Sequence, residues 1–389
     1  MNSVFTSALL AVSILILAGC KATEPVNKTT ITDNNQEKFS LFHQYDESST
    51  ITLDYSDYAK ILDASAINLG MSDRYNISSN TGQIGTRIAR NPKPSTATES
   101  NRFFYTSYQD NPHMKQVLQQ VQEKMANIPN TINLATLSKA EQLAYWLNLY
   151  SVTVINALVQ QYPVQNILRL LKGKDNFFDK SRFTFNGNQY SLNDIEYNIV
   201  APLFNNDPLI MYGFYRGYIG GPSLVTYPFT AKNVYPTLKA NALQFVNSNR
   251  GVVIRGHATY VSSLYLEKQN YFPNFEEDLT DHLLSLLVNQ PADQQVISRL
   301  SLSISNYNIT DIIGSDPQYG GGTSTVNDPS IVADGFSDSF ERSGANYVKQ
   351  IGHVSRLRLE ILKKIAQRYF EEKGRVTITD LPNKESTEN

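Results

Sequence analysis

Residues 141–161 read EQLAYWLNLYSVTVINALVQQ, the longest run after the N-terminus with almost no charge. The run contains the single tryptophan, Trp146. Apolar side chains cover nearly its whole helical circumference, which is typical of a helix buried on all sides. Ser138 stands three residues before Glu141, the spacing of a capping box that begins a helix. The pattern predicts a central buried helix at about residues 139–161.

Two amides interrupt this apolar surface. Asn148 and Asn156 are eight residues apart, which places them about 80° from each other around a helix and away from its main apolar face. A buried amide must find hydrogen-bond partners. We therefore expect both side chains either to bind the backbone of neighbouring loops or to line a cleft.

Short strands are predicted both before and after the central helix in the sequence. Residues 177–190 predict a hairpin, because two aromatic, β-prone runs flank the tight turn Asn186-Gly187-Asn188. Further strand patterns occur at residues 50–55, 209–215 and 251–265.

Other segments have helical spacing. They are residues 58–69, 113–128, 191–196, 235–247, 277–288, about 297–305, and 347–372. The last of these is strongly amphipathic. Together the elements predict an α+β fold with a central buried helix, short and mostly antiparallel strands, and a C-terminal amphipathic helix packed on the core.

The N-terminus predicts where the protein resides. Residues 4–17 form an apolar run of the length found in secretory signals, and Leu17-Ala18-Gly19-Cys20 follows it. This tetrapeptide looks like a bacterial lipobox, with Cys20 as the acylated first residue of the mature chain, although the preceding segment has no Lys or Arg. By the same resemblance, Lys21 after the cysteine favours the outer membrane of a Gram-negative bacterium. The alternative is an ordinary cleaved signal in which Cys20 is incidental.

Composition excludes several classes of function. The formal net charge of −2 over 389 residues provides no basic field for nucleic acid. The five histidines are scattered without metal-binding spacing, so neither a metal nor a cofactor is predicted. Cys20 is the only cysteine, so its acylation would leave no thiol for catalysis. The Gly-rich run at residues 216–222 lacks the motif of a phosphate-binding loop, and a tight structural turn is the favoured interpretation.

Several segments, in this order, resemble the DUF547 domain, a family of unknown function found in bacteria, plants and animals. They are Tyr145-Trp146-Leu147-Asn148-Leu149-Tyr150, Ser191-Leu192-Asn193-Asp194-Ile195-Glu196, Asp207-Pro208, Gly217 and Pro222. Together with upstream pieces, the resemblance spans residues 39 to about 288. With the lipobox marking residues 1–19 as a signal peptide and the polar composition marking 20–38 as a tether, we expect 39–135 to be an accessory part, 136–290 the DUF547-like core and 291–380 a C-terminal helical part packed on the core.

The chain departs from the family pattern at the residues that could carry chemistry. Asn156 stands where the pattern has a histidine, and Gly221 stands where it has a cysteine. Tyr271 likewise takes the place of an aspartate. A Cys–His pair is what nucleophilic catalysis by such a domain would need. The resemblance therefore implies that this member is inactive if the family is an enzyme of that type.

The candidate cleft residues are Asn148, Tyr150, Asn156, Glu196, Arg216 and Gly221. We expect a lipid-anchored envelope protein, bound to the membrane through Cys20, that binds a small ligand or another envelope protein or acts as a scaffold. The alternative is a hydrolase or transferase that acts on peptide or cell-wall material through residues other than a Cys–His pair.

Overall fold

A computed structural model of the chain describes residues 38–72, 96, 99–109, 111–164, 166–171, 176–255, 258–288, 300–303 and 305–311. The α-helices in this part include α1 (Ser56–Ser65), α2 (Thr106–Gln109), α3 (Pro112–Ala126), α4 (Ile128–Thr131), α5 (Lys139–Gln161), α6 (Ala201–Leu203), α7 (Val234–Val246), α8 (Leu264–Glu267) and α9 (Phe275–Leu286). The strands are β1 (Ala66–Ile67), β2 (Arg102–Phe103), β3 (Ser181–Phe185), β4 (Asn188–Ser191), β5 (Val252–Arg255), β6 (Ala258–Ser262) and β7 (Leu300–Ser303).

The predicted central helix is α5, and it is buried from Glu141 to Val159. Ser138 caps it, because its hydroxyl oxygen accepts a hydrogen bond from Glu141 N at 3.2 Å. The Glu141 carboxylate does not complete a capping box but accepts hydrogen bonds from Leu53 N at 2.9 Å and Ala231 N at 3.2 Å. One buried carboxylate therefore ties the start of α5 to two separate loops.

The predicted hairpin is formed by β3 and β4, which pair antiparallel. Asn186 and Gly187 connect them with φ angles of 48° and 79°. Positive φ at both central residues defines the two-residue turn whose twist suits a hairpin, and Asn-Gly is its preferred sequence.

The remaining strands confirm the α+β class and its antiparallel bias. Antiparallel pairings join β1 to β2 and β5 to β6, and one parallel pairing joins β6 to β7. β7 lies where the sequence predicted a helix around residues 297–305, and that prediction is wrong. Leucine and serine alternate from Leu300 to Ser303, and this period of two allows the segment to pair along β6.

Two predicted strands are also wrong. Residues 208–213 form a 3₁₀ helix (Pro208–Gly213) instead of a strand at 209–215. Asp207 starts this helix, because its carboxylate accepts a hydrogen bond from Leu209 N at 2.9 Å, and a proline is favoured at the first helical position. Residues 50–55 form no strand, since their polar backbone groups bind Glu141 and local side chains rather than a neighbouring strand.

Two groups of buried apolar side chains surround these elements. The larger encloses α5, including Trp146 and Leu147, and the second lies between α7, β5, β6 and α9, including Phe245 and Leu283. Within the part of the chain that the structure describes, no helix is both long and apolar enough to span a bilayer. The predicted C-terminal helix at 347–372 and the signal segment with Cys20 lie outside the described residues.

His282 on α9 is a half-buried titratable group that packs against Tyr212 and Phe272 of the second core. Its Nε2 lies 3.0 Å from the Tyr212 hydroxyl, and the two rings stack with centroids 5.7 Å apart. Burial lowers the pKa of His282 from 6.5 to about 4. Between these two values the folded protein binds fewer protons than the unfolded chain, so folding stability must fall as the pH falls.

Acidification from pH 7 to pH 4.5 should therefore lower the free energy of unfolding by about 1–3 kcal/mol through His282. Urea denaturation at both pH values checks this in the wild type and in His282→Gln, which should lose that part of the pH dependence. His113→Gln, at an exposed position, is the matched control. An unchanged acid response in His282→Gln would contradict the assignment.

Candidate functional site

Three of the predicted cleft residues meet beneath the surface. Arg216 Nη1 lies 3.5 Å from the Tyr150 hydroxyl and 3.6 Å from Glu196 Oε2. The Arg216 side chain is 8% exposed and that of Glu196 is fully buried. Phe178 covers one face of the guanidinium, whose carbon lies 3.8 Å from the ring centroid. Tyr150, Glu196 and Arg216 are therefore parts of one polar cluster.

Local sequence explains how these residues reach the same place. Tyr150 lies on α5. Glu196 lies on a π-helical turn, Asp194–Val200. This turn begins with a reciprocal cap. Ser191 Oγ accepts a hydrogen bond from Asp194 N at 3.0 Å, and Asp194 Oδ2 accepts one from Ser191 N at 2.9 Å. Arg216 directly precedes Gly217, whose φ of 80° turns the chain towards α5.

Two further charged residues complete the cluster, and sequence reasoning missed both. Lys268 Nζ donates hydrogen bonds to Glu196 Oε1 and, at 3.0 Å, to the Tyr197 hydroxyl. Glu267 Oε2 lies 3.6 Å from Arg216 Nη2, and its Oε1 accepts from the Tyr307 hydroxyl at 3.1 Å. Neither residue belongs to a motif, so nothing in the local sequence marked them. We call Tyr150, Glu196, Arg216, Glu267 and Lys268 the Arg216 cluster.

The four charges of the Arg216 cluster are balanced in two pairs. Lys268 and Glu196 form an inner pair in which both side chains are 0% exposed. Arg216 and Glu267 form an outer pair in which the Glu267 side chain is 33% exposed. Burial and the positive charge of Arg216 lower the pKa of Lys268 to about 8, against the opposing effect of Glu196. Burial raises the pKa of Tyr150, so its hydroxyl stays neutral.

Several polar atoms around the cluster are buried without a hydrogen-bond partner among the described residues. By strict hydrogen-bond geometry they are Glu196 Oε2, Arg216 Nε and the hydroxyl oxygens of Tyr218 and Tyr271, although Tyr218 and Arg216 lie close enough to interact. Buried polar groups in folded proteins almost always have a partner in protein or water. Their concentration around one guanidinium distinguishes this region from an ordinary satisfied salt bridge.

The two predicted amides use their hydrogen bonds elsewhere. Asn148 binds the backbone of Phe229 in both directions, as donor to its oxygen at 2.8 Å and as acceptor from its nitrogen at 2.9 Å. Asn156 donates to Gln122 on α3 at 3.3 Å and accepts from Gln160 at 3.2 Å. Asn148 fastens a loop to α5, and Asn156 joins α5 to α3.

Gly221 lies beside Arg216, since a Cβ there would be 3.3 Å from Arg216 Cβ, but its carbonyl group belongs to a second buried network centred on Arg250. Arg250 Nη1 donates to Gly221 O at 2.7 Å and to Ile219 O at 3.2 Å, and Arg250 Nε lies 3.9 Å from Glu99 Oε2. Carbonyl groups of the Gly-rich run thus face a cation, whereas an anion site of the kind found in phosphate-binding loops would present N–H groups.

In the described part of the chain, no three His, Cys, Asp or Glu side chains are grouped as metal ligands would be.

Comparison with known proteins gives one match. A family model described as "Protein of unknown function, DUF547" matches residues 134–246, a narrower span than the 39–288 expected from the sequence motifs. No curated protein and no solved structure matches the chain. The matched span contains Tyr150, Glu196 and Arg216, whereas Glu267 and Lys268 lie beyond it.

Proposed function

Because residues 134–246 form a DUF547 domain, we propose that the protein is a lipid-anchored component of the bacterial envelope whose domain binds a ligand or a partner without catalysing its conversion. The anchor is supported by Leu17-Ala18-Gly19-Cys20 behind an apolar run of signal length. Lys21 supports the outer membrane as the location. Nothing in the charge of the chain favours a nucleic acid as partner.

The observation that favours binding over catalysis is the pairing of the cluster's charged groups with one another. Glu196 is engaged by Lys268 and Arg216, and Glu267 by Arg216 and Tyr307. Nucleophilic catalysis of the Cys–His type needs a thiolate next to an imidazole, but the only cysteine is Cys20 in the anchor segment. Of these charged groups, Glu267 is the one that is partly exposed, at 33%, and so the one that a partner could contact directly.

Turnover assays test the proposal directly. The full-length chain, purified in mild detergent, is incubated with ester, peptide and peptidoglycan-fragment substrates, and we expect no more product than in the absence of protein. Product formation by the wild type that disappears in Arg216→Lys would overturn the non-catalytic assignment. Arg216→Lys is the informative variant because it keeps the charge but removes the forked donor geometry.

The anchor makes a separate prediction. Cys20→Ser should abolish incorporation of labelled palmitate and move the protein from the detergent-rich to the aqueous phase in a phase-partition experiment, because the cysteine sulfur is the atom to which the lipid is attached. Ala22→Ser, which introduces the same residue two positions later, should behave as the wild type. Labelling that persists in Cys20→Ser would refute the lipobox.

A second candidate function is a hydrolase or transferase that acts on peptide or cell-wall material. The lowered pKa of Lys268, about 8, favours it, because a lysine amine with such a pKa can serve as a general base near neutral pH. Its signature would be a rate that rises through pH 8 and is lost in Lys268→Arg.

A further inference from the structure

A groove of about 620 Å³ lies between α1 and α3, outside the span that the family model matches. Contacts between the elements place its two ends. At one end, Asp57 at the start of α1 lies 3.0 Å from Lys124 near the end of α3. At the other end, the Tyr108 hydroxyl, just before α3, lies 2.8 Å from Ser65 Oγ at the end of α1. The groove therefore follows two antiparallel helices, and its volume is in the range of sites that bind small molecules.

The middle of the groove is apolar. Ile61 and Val121 line it and are buried, and Met114 is half-buried. Ala64 contributes only a methyl group, which keeps the groove open. Val117 also lines the groove but is 37% exposed. A ligand in the groove would remove this apolar surface from water, and that removal stabilises a complex.

One end of the groove is positively charged. Among the groove-lining residues at this end, Lys60 and Lys124 share the single carboxylate of Asp57, with Nζ–Oδ distances of 3.3 and 3.0 Å. Each ammonium group has three donors, and its hydrogen bond to Asp57 uses one of them. The neighbouring carboxylate of Asp54 does not line the groove and accepts a hydrogen bond from Ser56 N at 2.9 Å. Two lining cations against one lining anion favour a second anion at this end.

This order of charged and apolar surface selects for an anionic amphiphile. A small anion alone would gain only an exposed ion pair, which contributes little free energy. An uncharged hydrocarbon would fill the middle of the groove but leave both lysines unused. A molecule with a carboxylate head and one alkyl tail uses the charged end and the apolar middle together. The ten residues of α1 make it about 15 Å long, which suits a tail of medium length.

We propose that the α1–α3 groove binds a fatty acid, with its carboxylate at Lys60 and Lys124 and its alkyl tail along Val117. The inference goes beyond the proposed function, because the groove belongs to the part of the chain before the DUF547 domain. Three probes separate the contributions of head and tail. Octanoate carries both, octanol carries the tail without the charge, and acetate carries the charge without the long tail.

Photolabelling of the full-length chain in phosphatidylcholine nanodiscs tests the proposal. The label is an octanoate with a diazirine on its alkyl chain, and mass spectrometry of proteolytic peptides locates it. We expect the label in the peptides that contain α1 and α3. Unlabelled octanoate and octanol should both protect these peptides saturably, whereas acetate should not, because burial of the tail provides most of the binding free energy.

Variants at the two parts of the groove separate head from tail. Lys60→Gln/Lys124→Gln should weaken protection by octanoate about fivefold, the change expected when exposed ion pairs are lost, and should leave protection by octanol unchanged. Lys115→Gln makes the same chemical change on α3 outside the groove and should behave as the wild type. Ala64→Trp fills the groove and should weaken protection by octanoate and octanol about tenfold or more.

Label without preference for α1 and α3 would overturn the inference, as would equal protection by octanoate in the wild type and in the double lysine variant. If a second copy of the chain or another segment covers the groove, the probe cannot enter and Ala64→Trp leaves the labelling unchanged, which also contradicts the inference. The lysine substitutions change only exposed side chains, so they remain informative if Ala64→Trp does not fold. The palmitate and turnover experiments are independent of this outcome.

Discussion

Glu196→Gln should lower the free energy of unfolding by about 3–5 kcal/mol, the cost typical of removing one partner from a buried ion pair. The Lys268 and Glu196 side chains are both 0% exposed. Glutamine keeps the size of Glu196 but removes its charge, so the Lys268 ammonium and the Arg216 guanidinium remain buried with only Glu267 to oppose them. The loss is dominated by the lysine that is left without a counter-charge.

Urea denaturation of the purified full-length chain at pH 7 measures this effect. Glu277→Gln makes the same chemical change at an exposed position and should alter stability by less than about 0.5 kcal/mol. The double variant Glu196→Gln/Lys268→Met should recover much of the loss, because a buried pair can often be replaced by uncharged groups with little penalty. A loss below about 1 kcal/mol in the single variant would show that the pair is not the buried, mutually dependent one described.

Gly217→Ala is expected to have the second-largest effect, about 2–4 kcal/mol, from two additive sources. Gly217 has a φ of 80°, a conformation that L-residues rarely adopt. A Cβ at this position would also lie 2.5 Å from Leu158 Cδ1 and 3.1 Å from Val154 Cγ1 of α5. The turn after Arg216 can approach the central helix this closely only because residue 217 has no side chain.

Gly187→Ala is a matched control for this prediction. Gly187 has a φ of 79°, but a Cβ there would meet nothing within 4 Å. It should therefore lose only the conformational part, about 1–2 kcal/mol. Thermal and urea unfolding of the two variants separate backbone strain from the clash with α5. Equal losses in both would mean that the contact with Leu158 relaxes without cost.

Much of the fold could be predicted because its signals are local. The uninterrupted apolar character of residues 141–161 requires burial on all sides, and α5 is buried as expected. The turn Asn186-Gly187 predicted the β3–β4 hairpin because few other residues adopt two successive positive φ angles. The helix predicted around 297–305 failed because pairing with β6, a contact with a distant segment, determined the structure of Leu300–Ser303.

In the candidate site, too, local sequence signals identified residues, whereas contacts between distant segments decided what those residues do. Motif resemblance marked Tyr150 and Glu196, and the Gly-rich run at 216–222 marked Arg216, all within the span that the family model matches. It also marked Asn148 and Asn156, whose side chains instead join α5 to a loop and to α3. A motif shows that a residue matters to the domain, but it does not separate a residue that holds the fold from one that faces a ligand.

The sequence by itself determined the buried central helix, the hairpin turn, the α+β class and the family of the core, because each depends on residues close together in the chain. Tertiary structure alone decided which charges are paired. Lys268 follows Glu196 by 72 residues and comes from a segment without a motif, yet burial requires the two side chains to compensate each other. The surroundings of Arg216 likewise form only when Tyr150, Glu196 and Glu267 come together from separate segments. Long-range electrostatics inside a desolvated core cannot be read from spacing along the chain.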